Sequence, residues 1–287
     1  MDFGSNNITY RNKPRRTSSL TDLSDVINNS EKTILDTTMM SIPDSFHDTS
    51  EENQSAGYSR FVRTMSTYEI KPVATGDTEA ILVLLRKTFF IDEPMNKAVG
   101  LCSDGTCNEL EDYCKQYLPG DGWSFKAVDK EGNIVGVMVS GICDLKEPEE
   151  GSDYVSLAKK CPNPKFAKIL HVLGQRETGA KLWEKFPGEH EVLDVKIAAT
   201  DPGWRKKGIM NALLFETENL AKKRSVRILR MDTSSAYSAM AAERLGFTCM
   251  YSAPYSEIKL DGRPIIVPEA PHVDDSVYTK ILFERNG

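Results

Sequence analysis

A strand that passes through a glycine-bearing turn straight into a helix, over residues 192–211, constrains this chain more than any other stretch. Residues 192–200 read as a strand and Asp201-Pro202-Gly203 as a turn. Trp204-Arg205-Lys206-Lys207-Gly208-Ile209-Met210-Asn211 then opens a helix that runs to residue 223. The first N–H groups of a helix have no intrahelical acceptor, and they carry the positive end of the helix dipole. Such a turn can cradle a pyrophosphate, and Arg205, Lys206 and Lys207 add positive charge. Basic residues at a helix start oppose the dipole, a conflict that a bound anion would resolve. An ordinary β-turn-α with a solvated basic turn accounts for the same residues equally well, because one glycine is a weak signal.

The flanking sequence alternates strands and helices. Residues 68–73 alternate like a strand, and 75–90 carry a helical pattern opened by Gly76-Asp77. A second helix is expected over residues 108–117, stopped by Pro119-Gly120. Strands at 124–128 and 134–142 flank Asp129-Lys130-Glu131-Gly132-Asn133, which has hairpin turn chemistry. Residues 147–164 are polar and interrupted by proline, and 166–186 read as one or two helices. Beyond the junction come a strand at 226–231, a helix at 236–245 ended by Gly246, and a strand from Phe247. A second hairpin is expected across Asp261-Gly262. Strands and helices without strict βαβ repetition define a mixed α/β class, in a single domain over residues 67–287.

Residues 1–66 differ in kind. They are rich in Ser, Thr, Asn and Asp with no sustained apolar period, so a disordered N-terminal leader is expected. Within it, Leu20, Leu23, Val26 and Ile27 have the spacing of one short helical face. Arg15-Arg16-Thr17-Ser18-Ser19 has the pattern basophilic kinases use, and phosphate there would recruit a phospho-dependent partner; an unmodified polar tail is the plainer reading.

The net charge of −6 argues against a nucleic-acid binder. No apolar run is long enough for a membrane-spanning helix, and the N-terminus lacks the apolar stretch of a secretory signal. A cytoplasmic monomer with no membrane or nucleic-acid partner is the expectation. Cys102, Cys107, Cys114, Cys143, Cys161 and Cys249 show neither zinc-ribbon spacing nor a nearby His, so reduced thiols and no metal are expected.

The Arg205-to-Met210 stretch resembles the Arg/Gln-x-x-Gly-x-Gly/Ala signature of the GNAT acyltransferases. Arg205 and Gly208 match, and Met210 stands where the family has Gly or Ala. The resemblance implies a mixed central sheet with a splayed strand pair flanked by helices. It also implies acetyl-CoA as co-substrate, with its pyrophosphate held by Arg205, Lys206, Lys207, Gly208, Ile209, Met210 and Asn211. Backbone groups of Ala198, Ala199 and Thr200 on the splayed strand would pair with the pantetheine arm.

Three further stretches narrow the resemblance. Asp92-Glu93-Pro94-Met95-Asn96 looks like the Asp-Glu-Pro-Leu-Asn motif of the insect-type arylalkylamine (dopamine) N-acetyltransferases. From the residues alone, the helix ends before Pro94 and leaves Glu93 among Phe89, Phe90, Ile91 and Met95. A carboxylate in apolar company is expected to titrate high and to serve as a general base, although solvated charges at a helix end are the plainer reading. Ser234-Ser235-Ala236-Tyr237-Ser238, before Leu245-Gly246-Phe247, is similar to the same family's serine segment. Ser234 and Ser238 can share one helical face, and either Ser234 or Ser235 suits an N-cap. Ala270-Pro271-His272-Val273 matches the family's closing segment, although a histidine between such neighbours is more often structural.

The resemblance covers residues 67–283. It implies an enzyme in which Glu93, Ser234, Ser238 and His272 form the catalytic set. The amine of an arylalkylamine such as dopamine, serotonin, tryptamine or octopamine would attack acetyl-CoA directly in a ternary complex. Two alternatives stay open: a polyamine or agmatine acceptor for the same chemistry, and a CoA-binding protein without turnover, which Met210 motivates.

Overall fold

The structure, a computed structural model, describes residues 67–103, 106–118, 122–148 and 152–284. The expected leader, with its short helix and its arginine–serine stretch, lies outside the described residues, as does the Pro119-Gly120 stop. The chain runs β1 (Tyr68–Pro72), α1 (Thr78–Arg86), α2 (Phe89–Asp92), α3 (Pro94–Val99), α4 (Asn108–Lys115), β2 (Phe125–Asp129) and β3 (Ile134–Asp144). It continues through α5 (Asp153–Lys160), α6 (Pro164–Ala180), α7 (Leu182–Lys185), β4 (Glu191–Thr200), α8 (Ile209–Lys223), β5 (Ile228–Thr233) and α9 (Ala236–Arg244). The last elements are β6 (Thr248–Pro254), the short β7 (Lys259–Leu260) and β8 (Arg263–Pro264), and β9 (Asp274–Ile281).

Seven strands form one mixed sheet in the order β1-β2-β3-β4-β5-β9-β6. All neighbours are antiparallel except the β4–β5 pair. On one face, α8 and α9 pack on Met138, Leu193, Val195 and Ala198. On the other, α1 to α6 pack on Val137, Val139, Ile197 and Ala199.

Between Val195 and Ile197, β4 carries a bulge at Lys196, opposite Val139 and Ser140 of β3. A bulge inserts one residue and reverses which side chains face each side of the sheet. Leu193 and Val195 therefore point toward α8, and after the bulge Ala198 does so.

Three expectations are corrected. The helix expected over residues 75–90 is broken: a 3-10 turn (Thr75–Asp77) leads into α1, and α2 follows separately. Thr88, whose hydroxyl donates to the Leu84 carbonyl at 2.7 Å, leaves the helical region and makes the break. The polar stretch at 147–164 contains α5, started by Ser152, whose hydroxyl accepts from the Tyr154 N–H. Finally, the hairpin across Asp261-Gly262 shrinks to two-residue strands, and β9 supplies the strand that joins β5 to β6. β9 escapes a search for apolar alternation because its buried residues include Asp275, Ser276 and Thr279.

Candidate active site

β4 and β5 pair only at Leu193–Val195 against Leu229–Met231. Beyond that, Ala198, Ala199 and Thr200 remain paired to Met138, Val137 and Gly136 of β3, while the edge toward β5 opens. The expected splayed strand pair is thus present, and it ends in the turn that starts α8. Gly136 lets that turn come close, because a Cβ there would lie 2.6 Å from the Ile209 side chain.

The turn contains a 3-10 segment (Pro202–Trp204) and two left-handed residues, Lys206 at φ +64° and Gly208 at φ +77°. Gly208 is the N-cap of α8 and has no side chain to satisfy the first N–H groups of this 15-residue helix. Its glycine is required by conformation rather than by space: an added Cβ would meet only Tyr68 Oη, at 3.9 Å. A cavity of about 290 Å³ lies against this helix end, lined by Thr200, Trp204, Arg205, Lys206, Gly208, Ile209, Met210 and Asn211. Lys207 is not among the lining residues; its ammonium sits 4.0 Å from the centre of the Trp204 ring. Met210 is buried and packs into the core beneath the turn.

Glu93 stands between two short helices, as the residue after α2 and the N-cap of α3, with Pro94 as the first residue of α3. Its Oε2 accepts the Asn96 N–H at 2.6 Å. The side chain is fully buried, so it is not the solvated charge of the plainer reading. Asp92, by contrast, is exposed and accepts from Arg205 Nη2 at 3.0 Å, tying the α2–α3 corner to the turn before α8.

At the start of α9, Ser235 is the N-cap, and its hydroxyl accepts from the N–H groups of Tyr237 (3.1 Å) and Ser238 (3.4 Å). The Ala236 N–H donates to His272 Nδ1 at 3.3 Å, and the His272 ring meets Tyr237 edge to face. His272 is held below the ordinary histidine range, first by burial and then by the nearby Lys97 charge. Neutral His272 therefore accepts at Nδ1 and carries its proton on Nε2. Because Ser235 and His272 serve this helix end, the hydroxyls of Ser234 and Ser238 are left over. Those hydroxyls, with those of Thr200 and Thr233 at the ends of β4 and β5, are buried and make no hydrogen bond within the described residues.

Sequence reasoning missed Tyr255. Its phenol donates to the Ser234 carbonyl at 3.0 Å and lies close to Asp275 and Glu93. Burial, then those two charges, push it well above the ordinary tyrosine range, so it stays protonated. Below it lies a buried ion network also unmarked in the sequence. Arg176 pairs with Asp275 and Asp232, Arg230 with Asp232, and Lys196 with Asp194, whose carboxylate approaches the Cys143 thiol. Lys196–Asp194 and Arg230–Asp232 are pairs two residues apart on one strand, and only the long-range contacts of Arg176 with Asp232 and Asp275 tie the network into the core. Among the described residues, no group of three or more metal-binding side chains is placed to hold an ion, and no helix is long and apolar enough to cross a membrane.

A mixed sheet whose central parallel pair diverges over an uncapped helix N-terminus defines the GNAT acetyltransferase fold, and this chain has it. The solved structures it resembles are insect arylalkylamine N-acetyltransferases and related enzymes. Arylalkylamine N-acetyltransferase 2 from Aedes aegypti is 26% identical, with a TM-score of 0.69 over 75% of this chain and 99% of that one. An agmatine N-acetyltransferase is 24% identical, with a TM-score of 0.67 over 75% of this chain and 100% of that one. The Drosophila melanogaster polyamine N-acetyltransferase, which forms N-acetylagmatine, is 23% identical, with a TM-score of 0.65 over 75% of this chain and 99% of that one. No protein-family model matches the chain.

Proposed function

We propose that residues 67–287 form an enzyme that transfers the acetyl group of acetyl-CoA to the primary amine of an arylalkylamine. The observation that carries this reading is the set of unpartnered buried hydroxyls of Thr200, Thr233, Ser234 and Ser238, at or just after the ends of β4 and β5, beyond the point where the two strands stop pairing. Buried polar groups are normally satisfied, and several orphans beyond a strand splay suit a substrate that makes the missing bonds. The neighbours' acetyl transfer to amines supports the same reaction class.

Acetyl-CoA supplies an acyl group already activated as a thioester. The residues present fit it: the uncapped first turn of α8 and its adjoining cavity suit a diphosphate, and the open edge of β4 at Ala198, Ala199 and Thr200 suits an amide-bearing arm. Arg205, Lys206 and Gly208 to Asn211 line that cavity; Lys207 acts through Trp204.

An arylalkylamine is protonated at neutral pH and must lose a proton before it attacks. Glu93 takes that proton, directly or through a water, from a carboxylate fixed by the Asn96 N–H. Backbone N–H groups at the splay polarise the thioester carbonyl. Ser234 or Ser238 donates to the departing sulfur, while Tyr255 holds the Ser234 backbone. His272 supports the start of α9 through Ala236, which makes it a positioning residue for Ser238.

A monoamine fits better than agmatine or a polyamine, which present a second cation. The buried carboxylates Asp194, Asp232 and Asp275 are already ion-paired to Lys196, Arg230 and Arg176. Thiol release with acetyl-CoA and a panel of tryptamine, dopamine, serotonin, octopamine, agmatine and spermidine tests the proposal. Turnover greatest with the aromatic amines supports it. Preference for agmatine or spermidine would move the acceptor class, and acetyl-CoA binding without any amine-dependent thiol release would refute the enzyme reading.

A further inference from the structure

Acetyl transfer leaves Cys102 and Cys107 without a task, yet the fold brings them together. Cys102 follows α3, whose end is held by the Leu101 N–H on Asn96 and by Lys165 Nζ on the Gly100 carbonyl at 2.6 Å. Cys107 is the N-cap of the eight-residue α4. There its sulfur is hydrogen-bonded by the Cys102 thiol and lies against the Leu110 N–H. The side chain of Asn163 reaches Glu109 Oε2 at 3.3 Å and Cys107 Sγ at 3.8 Å, and Glu109 Oε2 lies 3.4 Å from the same sulfur. A cavity of about 410 Å³ opens beside Cys107, lined also by Leu101, Ser103, Thr106 and Asn163.

The other thiols contrast with this one. The Cys102 hydrogen bond, with help from the Leu110 N–H, holds the Cys107 thiol below its ordinary range against the opposing effects of burial and of the Glu109 carboxylate. Burial raises Cys114 and Cys161, and pushes Cys143 up to about 11. A thiol at a helix N-terminus, beside a second thiol and open to a cavity, has the surroundings of a redox-active cysteine rather than of a core thiol.

We propose that Cys102 and Cys107 are a reversible dithiol–disulfide pair, in which Cys107 reacts first with a small peroxide and Cys102 resolves the product. The Cys107 sulfur attacks one peroxide oxygen while Glu109 takes the thiol proton. The O–O bond breaks, and the departing hydroxide leaves as water with that proton. Cys107 is then a sulfenic acid. The Cys102 sulfur attacks the Cys107 sulfur, the S–S bond forms and the S–O bond breaks, and a second water leaves with the Cys102 proton. Two thiols and one peroxide become one disulfide and two waters; the sulfurs lose two electrons and the peroxide gains them. An external dithiol reverses the change. The proposal does not depend on the acetyl-transfer reading.

The test treats the reduced full-length protein with hydrogen peroxide, alkylates remaining thiols in denaturant, and maps them by mass spectrometry. Tryptic peptide 98–115 contains Cys102, Cys107 and Cys114, and exposed Cys249 serves as the internal reference. At a dose that oxidises half of Cys249, the peptide should lose two labels, weigh two hydrogens less than the unlabelled dithiol at those sites, and retain its label on Cys114. Dithiothreitol should restore all three labels. In Cys102→Ser the bridge should be lost, and dimedone should instead trap a sulfenic acid on Cys107. Oxidation of Cys249 with all three labels intact would overturn the proposal. So would a bridge from Cys107 to Cys114 or Cys161, or an unchanged bridge yield in Cys102→Ser.

Discussion

Two helix N-termini face the opening between β4 and β5, and they are finished in opposite ways. The start of α9 is saturated: Ser235 takes two N–H groups and His272 takes a third. The start of α8 has a left-handed glycine in the cap position and a cavity in front of it. Glycine in the cap position brings no side-chain acceptor, so the first N–H groups of this 15-residue helix stay open to the cavity. The difference separates two tasks. In the proposed function the bare end would offer its donors to an anion, while the finished end would free the Ser234 and Ser238 hydroxyls for the reacting groups.

The sharpest division between the two ends comes from Glu93, which belongs to neither. Glu93→Gln keeps an oxygen acceptor for the Asn96 N–H and loses basicity, so kcat should fall by about 10²–10⁴. Acetyl-CoA affinity by calorimetry should not move, because the bare end of α8 is untouched. The acid limb of the pH–rate profile should shift toward the amine's own pKa. Glu93→Ala should also lose about 1 kcal/mol of stability as a lost cap, which makes Gln the cleaner variant. A kcat within threefold of wild type for Glu93→Gln would remove the base from this site.

Gly208 tests the bare end directly. An L-residue at this left-handed position costs about 1–2 kcal/mol in either variant. Gly208→Glu adds negative charge as well, so its acetyl-CoA affinity should drop by well over the roughly tenfold that 1.4 kcal/mol represents. Gly208→Ala should lose much less. Equal losses for Ala and Glu would show that conformation, not charge, governs the site.

The serines of the finished end should divide by role. Ser235→Ala should destabilise the fold by about 1 kcal/mol, read by urea titration, because two N–H groups lose their acceptor. Ser238→Ala and Ser234→Ala remove hydroxyls that the protein does not use, so stability should hold. The one that donates to the departing sulfur should lose about tenfold or more in kcat. If both keep full turnover, the orphaned hydroxyls serve another purpose.

The smallest effect is expected at His272. Its folded pKa lies below the unfolded value near 6.5, since burial and Lys97 disfavour the cation. Its contribution is therefore present above the unfolded pKa and is lost as pH falls through the lower folded pKa, where Nδ1 ceases to accept. His272→Asn should flatten the acid side of the stability profile below about pH 6.5. An unaltered profile would mean that Ala236 does not depend on the imidazole.

Much of the scaffold was legible for local reasons. β4, its turn and α8 are announced by an apolar run, a glycine and an amphipathic stretch, all read within a few residues. The end of α2 at Glu93 follows from Pro94, which restricts the residue before it and starts a helix well. Local rules failed where polar residues were buried by distant partners. β9 contains Asp275, which reads as solvent-facing until Arg176 of α6 is seen beside it. Ser234 and Ser235 are indistinguishable as caps in the sequence; the backbone at Ser235, at φ −123° and ψ 136°, decides between them.

The sequence by itself determined the mixed α/β class and the strand–turn–helix junction around Gly208, because each depends on neighbours within a turn or two. Only the tertiary structure decided that Glu93 is buried, that β9 enters between β5 and β6, that Tyr255 binds the Ser234 carbonyl within the field of Glu93, and that Arg205 turns to Asp92. It also decided that Cys107 meets Cys102 at a helix end. Those outcomes rest on contacts between segments far apart in the chain or on the path of the backbone, and neither leaves a periodic trace in the amino-acid order.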